Sequence, residues 1–551
     1  MTRSGAPAIR GPRVRVALGL SFVLLGLYIL TSPGRIDMID GQVRYEVARN
    51  WIDLSRPVVL DRALISTGLT VKTPGAAYGV YNAAGSVVAM PMMLVSRALP
   101  GHTAERDRFV FAMVGPLFGA ALGGVLVVAY SMLGLSLGRA LGWALVCTLG
   151  TLWWPGSTTV FDQNQHAVWL LLAVLLAWQS GRRASLGLAL LAGGAGAALV
   201  TYQENYALVL PLVGMAVAAK ASEGRASIPG RLRQPIETAT VQRYLAFGAA
   251  SSVGVLALVA FNYARFGAPF NEGRFDDPMI FGQGNVFAAL LGLLVSPGKG
   301  LFLFSPPLLL AILGARRLFA VAPALATTIA AVSLTHLLIV AQVVFFGGDW
   351  CWGPRYVLVL LPLWALAAPF AVTGARRIVV PALVALGVSI QVLAISLDHH
   401  RFFYERNLAA HFWAKDPWFY FRSSQLLARP GEIAATWLTR VPVEAVAFSP
   451  TPWHEVTYSP FGPRRPAESA EWVRRFAVFY LPRPWPLWFH ALDPAQRPVA
   501  PWPWLALCGV SITLGGGLVW RTLGRGRAGE VMTPRAQSSE PPLSAVPRIG
   551  S

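Results

Sequence analysis

The chain has few charged residues and very few cysteines for its length. Only 13% of its 551 residues are Asp, Glu, Lys or Arg, against about 25% in soluble domains. This low charge excludes an ordinary soluble globular protein. The three cysteines, Cys147, Cys351 and Cys508, are far apart and have no paired spacing. Their positions argue against a disulfide framework and a cysteine-based zinc site.

Apolar residues make up 55% of the chain, and the mean hydropathy is +0.52. Apolar runs of about 20 residues recur along the sequence, which is typical of a multi-pass membrane protein. The strong helical runs favour a helical bundle over a barrel. Twelve spans are predicted, at 14–32, 109–131, 138–154, 166–180, 184–200, 204–220, 244–262, 301–315, 319–345, 356–373, 378–397 and 500–520.

The net charge of +20 comes largely from arginines in every second loop, for example at 182–183, 316–317 and 376–377. Basic loops face the cytoplasm in membrane proteins. This pattern predicts that both termini are cytoplasmic, in an inner membrane of the bacterial type. No basic domain stands apart from the spans, so nucleic acid is not an expected partner.

Two apolar segments do not fit this topology as spans. Counting 80–97 as a span would move every later arginine pair to the outside, so this segment is predicted to be re-entrant or interfacial. The run 286–296 ends at "SPGKG" after about three helical turns and is interpreted in the same way. The predicted plan is a cytoplasmic N-terminus (1–13), a transmembrane domain (14–397) whose first external loop is 33–108, an external subdomain (398–499), a last helix (500–520) and a disordered cytoplasmic tail (521–551).

Acidic residues follow the first span in "DMIDGQVRYEVARNW". From Gly41 the pattern predicts an amphipathic helix in the membrane interface, which leaves Glu46 and Asp53 solvated. Asp40 directly precedes this helix. It either caps the helix or also faces a site, with Asp37 as a second acid, and the two interpretations are compatible.

Two further loops on the same predicted side carry acids. In "FDQNQHAVW" Asp162 lies four residues before His166, so both side chains fall on one helical face. The alternatives are a polar turn for Asp162 and a structural role for His166. Glu204 in "TYQEN" lies at the edge of a span, where a carboxylate is either functional or interfacial.

Three cations also lie on this side. Lys299 in "SPGKG" suits an anionic headgroup or a phosphate, unless it only snorkels to the interface. In "GGDWCWGPRYVLVLLP" Arg355 is expected to pair with Asp349 or to bind phosphate. Trp352 suits either an interface belt or a sugar face. Lys72 in "KTPG" precedes the membrane-associated run. The one notable ionisable residue inside a span is His336.

These segments resemble the GT-C superfamily of membrane glycosyltransferases. "DMIDGQVRYEVARNW" resembles the acidic motif of the family's first loop, and "FDQNQHAVW" stands where a second acidic motif occurs. "SPGKGLFLFSPP" and "GGDWCWGPRYVLVLLP" resemble segments of bacterial GT-C-like proteins. "KTPG" is a loose match to a Lys-Pro-Pro segment of aminoarabinose transferases. The first acidic motif here is Asp-x-x-Asp rather than DxD.

The resemblance implies an all-α, GT-C-like bundle of about 12 transmembrane helices. It also implies an inverting transfer of a hexose or pentose from a polyprenyl-phosphate sugar to an external glycan, lipid or protein. Asp40 would be the catalytic base or a metal-positioning acid, with Asp37 beside it. Asp40 and Asp162 would hold a divalent cation, Mg²⁺ or Mn²⁺. The other substrate-binding candidates are His166, Glu204, Lys72, Lys299, Trp352 and Arg355.

Two other functions remain open at this point. A transporter or flippase of lipid-linked sugars predicts inverted repeats and acids near the bilayer midplane, and the sequence has neither. A non-catalytic partner in cell-envelope assembly predicts that changing Asp40 has no effect.

Overall fold

The computed structural model describes most of the chain and is helical almost throughout. Within the described residues, the only regular strands are β1 (Thr70–Thr73) and β2 (Ala76–Gly79), which pair antiparallel with Thr70 opposite Gly79. The predicted all-α membrane architecture is confirmed. The described residues are 11–36, 38–65, 69–220, 237–271, 273, 285–348, 351–372, 376–397, 399, 402, 418–438, 487–490 and 499–531.

The helices are numbered in chain order. They are α1 (Gly11–Thr31), α2 (Ile39–Leu54), α3 (Arg62–Ile65), α4 (Ala84–Val87), α5 (Met90–Ala98), α6 (Ala104–Ala112), α7 (Val114–Met132), α8 (Leu137–Leu149), α9 (Trp153–Ser157), α10 (Gln163–Arg183), α11 (Leu186–Val200), α12 (Leu210–Gly214), α13 (Thr238–Phe266), α14 (Val286–Val295), α15 (Leu301–Phe304), α16 (Leu309–Val321), α17 (Pro323–Ala341), α18 (Leu361–Ala365), α19 (Arg376–Ile395), α20 (Phe419–Arg422), α21 (Gln425–Leu438) and α22 (Pro501–Val531). Short 3₁₀ helices are Glu204–Leu208, Met215–Ala218, Pro306–Leu308, Arg355–Leu360, Ala368–Ala371 and Trp488–His490.

Six of the twelve predicted spans are helices long and apolar enough to cross a membrane. They lie at Gly11–Thr31, Ala104–Met132, Thr238–Phe266, Pro323–Ala341, Ile378–Ile395 and Pro501–Gly524. The other six predicted spans fall on helices that are shorter, less apolar or interrupted. Thus 204–220 and 356–373, predicted as continuous, are each divided into 3₁₀ and α-helical pieces. The chain is a multi-pass membrane protein.

Small residues let the helices approach closely. α1 packs antiparallel against α7 and α22: Gly19 meets Gly515 and Gly26 meets Cys508, while Gly123 of α7 lies on Leu24. α10 is buried along most of its length at the centre of the bundle. We call the end of the bundle where α1 ends and α10 begins the site end.

The segment after α1 folds over the site end. α2 is followed by the β1–β2 hairpin and by the short helices α4 and α5. Together α4 and α5 extend only from Ala84 to Ala98, too short to cross about 30 Å of hydrocarbon. α14 has 10 residues and is also too short. Both segments therefore have the dimensions that the interfacial or re-entrant interpretation requires.

The predicted subdomain 398–499 is described only in part, and its remainder lies outside the described residues, as do 532–551. Two described pieces of it are firmly attached to the bundle. Trp488 Nε1 donates to the carbonyl of Ile29 at 2.8 Å, and its ring contacts Phe109 edge-to-face at 5.3 Å. Ser424, before α21, donates to the carbonyl of Pro297 at 2.6 Å.

We predict that Gly515→Ala destabilises the bundle and that Gly516→Ala on the same helix does not. A Cβ at Gly515 would lie 2.4 Å from the carbonyl oxygen of Gly19, whereas at Gly516 nothing lies within 4 Å. Overpacking of this kind costs about 1–3 kcal/mol, while alanine in an uncrowded helix position gains about 1 kcal/mol. Thermal unfolding in detergent, followed by tryptophan fluorescence, measures the difference. Equal melting temperatures for the two variants would contradict the close packing of α1 and α22.

Candidate functional site

Asp40 lies in the first turn of α2 rather than at its cap. The helix begins at Ile39, and the capping position is taken by Met38, whose backbone is extended and whose side chain makes no capping bond. The interpretation of Asp40 as the cap was therefore wrong by two positions. A carboxylate in the first turn lies at the positive end of the helix dipole, which stabilises its charge.

Four alternating charges meet at the site end, and we call them the ion-pair cluster: Asp40, Arg44, Asp162 and Arg355. Arg355 Nη1 donates to Asp40 Oδ2 at 3.1 Å. Arg44 Nη2 lies 4.0 Å from Asp40 Oδ2 and 3.4 Å from Asp162 Oδ2. The cluster thus joins α2, the start of α10 and the 3₁₀ helix that begins at Arg355.

The members of the cluster differ in their access to solvent. The Arg44, Arg355 and Asp162 side chains are 4%, 7% and 9% exposed, whereas that of Asp40 is 14% exposed. Charges at this depth are stable only when paired, because desolvation costs several kcal/mol per ion. Asp40 is therefore the more exposed of the two acids.

Aromatic rings hold both guanidinium groups in place. The Arg44 guanidinium lies over the Tyr81 ring at 4.6 Å, and that of Arg355 lies over Phe161 at 4.1 Å and Tyr356 at 5.0 Å. Contacts of this kind are attractive and restrict the guanidinium plane. Both arginines are therefore preorganised before any ligand arrives.

Asp162 is held ionised within the cluster. Burial would raise its pKa, but the Arg44 guanidinium and the neighbouring His166 outweigh burial and hold the pKa well below the usual range. His166 Nε2 lies 3.5 Å from Asp162 Oδ2, and its Nδ1 is 3.1 Å from the Tyr206 hydroxyl. The Tyr206 ring stacks on His336 at 5.8 Å. This chain of polar side chains supports Asp162 from inside the bundle.

A cavity of about 790 Å³, including its open mouth, adjoins the cluster. Its wall is mostly apolar and includes Thr31, Phe161, Cys351, Trp352, Arg355 and Leu358. An apolar cavity with an arginine in its wall suits a molecule that combines a hydrocarbon chain with an anionic group.

The other predicted site residues fall into different places. Trp352 lies in the cavity wall, with the Arg429 guanidinium 5.1 Å from its ring. Glu204 accepts a hydrogen bond from Asn82 at 2.8 Å. Asn82 directly follows Tyr81, whose ring contacts the Arg44 guanidinium. Lys72 is exposed on β1 and forms no ion pair with the cluster.

Lys299 is 1% exposed, and its amine points into the protein. Nζ donates to the carbonyls of Cys351 and Gly353 at 2.6 and 3.0 Å.

Of the sequence candidates, the structure brings together Asp40, Asp162, His166 and Arg355. Asp37 lies outside the described residues, as does Asp349.

The sequence interpretation missed Arg44, which contacts both acids of the cluster. On the helical wheel it fell outside the apolar stripe and was not assigned a role. Its spacing of four from Asp40 was the available signal, because residues four apart on a helix are neighbours. Glu46 was expected to be solvated and that expectation was wrong. It is 3% exposed and accepts hydrogen bonds from Arg49 and Asn50, one helical turn further on.

The geometry of Asp40 and Asp162 does not fit a divalent cation. Both carboxylates turn an oxygen toward Arg44, whose guanidinium occupies the position between them. A carboxylate oxygen must be free of such a partner to bind a metal ion, even for Mg²⁺, which completes its shell with water and substrate phosphate. In the part of the chain that the structure describes, no group of three or more His, Cys, Asp or Glu side chains has a metal-binding arrangement.

No protein-family model and no curated protein matches the chain. Among solved structures, the chain is similar to the crystal structure of ArnT from Cupriavidus metallidurans in the apo state. The TM-score is 0.45 and the sequence identity 12%, over 93% of this chain and 78% of that chain. The likeness is loose, and the function is therefore inferred from the geometry of the site itself.

We predict that Asp162→Asn destabilises the protein by about 3 kcal/mol, because the buried Arg44 then keeps only the more distant Asp40, at 4.0 Å, among its described acidic partners. Glu105→Gln is the matched control: Glu105 pairs with Arg108 at 3.6 Å but is 63% exposed, so its loss costs less than about 1 kcal/mol. Denaturation in detergent measures both. Similar losses for the two variants would contradict the assigned importance of Asp162.

The difference between wild type and Asp162→Asn also depends on pH. The folded state lowers the pKa of Asp162, so its carboxylate stabilises the fold fully above the unfolded pKa of about 3.9. The advantage of the wild type therefore persists from neutral pH to about pH 5 and declines as the pH falls below about 4. Melting temperatures of both proteins across this range test the sign. An advantage that grows toward low pH would contradict it.

Proposed function

We propose that the chain is a GT-C-type membrane glycosyltransferase. It transfers a sugar from a polyprenyl-phosphate donor to an acceptor outside the cytoplasm. The observation that carries the proposal is the double role of Arg355, which lines the apolar cavity and donates to Asp40 at 3.1 Å. The arginine-rich loops at the other end of the bundle support an extracytoplasmic site.

The donor's hydrocarbon chain would enter the cavity and its phosphate would meet Arg355. Arginine binds phosphate through paired N–H donors and is always charged. The Phe161 and Tyr356 rings already fix the guanidinium plane, so little side-chain entropy is lost on binding. In this position Arg355 stabilises the negative charge that grows on the leaving phosphate.

Asp40 would act as the general base. Its carboxylate accepts the proton of the acceptor hydroxyl, and the hydroxyl oxygen forms a bond to the anomeric carbon. The bond from that carbon to the phosphate oxygen breaks, and the polyprenyl phosphate leaves with the electron pair. A single displacement of this kind inverts the anomeric configuration. Asp40 has the most exposed side chain of the ion-pair cluster, which suits a group that must meet the acceptor.

Donor binding would also activate the base. In the free protein Asp40 shares its charge with Arg355 at 3.1 Å and Arg44 at 4.0 Å. A phosphate in the cavity competes for Arg355, so the carboxylate loses part of its stabilising partner. Loss of a positive neighbour makes a carboxylate a better proton acceptor. Arg44 keeps its ion pair with Asp162 and continues to hold the Asp40 carboxylate in position.

The test is an assay of the purified full chain with polyprenyl-phosphate-linked hexoses and pentoses, in which release of polyprenyl phosphate is measured with a membrane extract as acceptor. We predict that Asp40→Asn lowers the rate by a factor of about 100 or more and retains donor binding. Asp53→Asn on the same helix is the control, because Asp53 is 42% exposed and pairs only with Arg97 among the described ion pairs. Full activity of Asp40→Asn would refute the role of Asp40. Movement of the intact donor across a bilayer without cleavage would favour a flippase.

We also predict that the reaction survives chelation of divalent cations. Arg44 and Arg355 already supply two positive charges to the site, and Arg44 fills the space between the two acids. The activity of the EDTA-treated enzyme, before and after addition of Mg²⁺ or Mn²⁺, measures this. Loss of activity with EDTA and its recovery with one of the cations would overturn the prediction.

A further inference from the structure

A buried lysine lies behind the site, and the mechanism above does not use it. Lys299 is 1% exposed. Lys299 is not among the described residues that line the cavity. A buried ammonium group is costly unless it is well hydrogen-bonded. The hydrogen-bond partners of the Lys299 amine therefore indicate which part of the protein its charge stabilises.

Three acceptors of the Lys299 amine belong to one short turn. Nζ lies 2.6 Å from the carbonyl oxygen of Cys351, 3.0 Å from that of Gly353 and 3.2 Å from Cys351 Sγ. Gly353 has a φ of +65°, a conformation that favours glycine. The convergent carbonyls of this turn would repel one another without a cation between them. The ammonium thus fixes the backbone of residues 351–353.

This turn delivers Arg355 to the site. Pro354, with its restricted φ, follows Gly353 directly, and Arg355 begins the next 3₁₀ helix. Only one residue of limited freedom therefore separates the lysine-bound carbonyl of Gly353 from the arginine. A shift of the turn would move the guanidinium away from Asp40, because the hydrogen bond at 3.1 Å tolerates little displacement.

The backbone of Lys299 is itself fixed. Gly298 N–H donates to the carbonyl of Tyr420 at 2.9 Å, and Lys299 N–H donates to Ser296 Oγ at 3.0 Å. A Cβ at Gly298 would lie 2.3 Å from the carbonyl oxygen of Ser423. The glycine is therefore required by the close approach of α20. The turn 298–300 is a rigid base from which the lysine reaches the 351–353 turn.

We propose that Lys299 is a positioning residue that sets the place of Arg355 through the 351–353 turn. This proposal rests on the proposed function for the role of Arg355 toward a phosphate. It replaces the sequence prediction that the Lys299 amine binds phosphate itself. The C-terminal segment at α20 takes part in the same support, since it anchors the turn that carries the lysine.

The test compares Lys299→Met, which removes the charge and the donors, with Lys220→Met as control. Lys220 is 50% exposed and pairs with Glu237 at 3.3 Å. Hydrogen exchange of the full-length protein in detergent reads the backbone without any substrate. We expect faster exchange at residues 351–358 and at the start of α2 in Lys299→Met, and no change in Lys220→Met. Lys299→Gln, which keeps two N–H donors, should fall between the two and serves if Lys299→Met does not fold.

A second measurement follows binding of polyprenyl phosphate by thermal shift, with polyprenol as the uncharged control. We expect Lys299→Met and Arg355→Gln each to weaken binding about tenfold or more, and the double variant to be no weaker than Arg355→Gln alone, because both changes act on one contact. Additive losses with unchanged exchange would overturn the proposal and indicate direct phosphate binding by Lys299. Faster exchange with unchanged binding would overturn it in favour of a purely structural lysine. If wild type does not distinguish polyprenyl phosphate from polyprenol, the proposed function fails. In that case, hydrogen exchange at the start of α2 still tests whether Lys299 positions Arg355 against Asp40.

Discussion

The bond between Asp40 and Arg355 is the constraint on which the site depends. It joins residues 315 positions apart and closes the site end between α2 and the 3₁₀ helix at 355–360. Two partly buried charges are stable in such a place only within a balanced set. Arg44 and Asp162 complete that balance with two positive and two negative charges. Aromatic rings contact both guanidinium groups, and the turn held by Lys299 fixes the position of Arg355.

Hydropathy and arginine placement were enough to predict a multi-pass helical protein with its polar motifs at one end. Asp40, Asp162 and Arg355 were each predicted from local sequence, and the structure brings them together. Arg44 was missed because a helical wheel assumes that polar positions face water. Here that face of α2 packs on the start of α10, where Asp162 takes the charge. Only the long-range placement of α10 reveals this, and no local pattern encodes it.

The interrupted spans were also beyond a hydropathy argument, which registers how apolar a segment is and not whether its helix is continuous. Pro362 and Pro369 lie within the predicted span 356–373, and each removes a helical hydrogen-bond donor. The interruption leaves backbone carbonyls for other partners. The backbone carbonyl of Tyr356 lies 2.9 Å from His336 Nε2, which gives this ring nitrogen a hydrogen-bond partner inside a span. The ionisable residue inside the membrane thus has a structural partner next to Arg355.

The charge balance also suggests an order of events. In the free site every carboxylate of the ion-pair cluster faces an arginine, so an arriving phosphate adds one negative charge that a resident cation must share. Arg44 already interacts with two acids, at 3.4 and 4.0 Å, so it is less able to turn toward a phosphate. Arg355 donates to Asp40 and also lines the cavity, so it is the group that we propose changes partner. Under the proposed mechanism, Asp40 becomes a better proton acceptor only after the donor is bound. The acceptor hydroxyl is then deprotonated only when a donor sugar is present for its oxygen to attack.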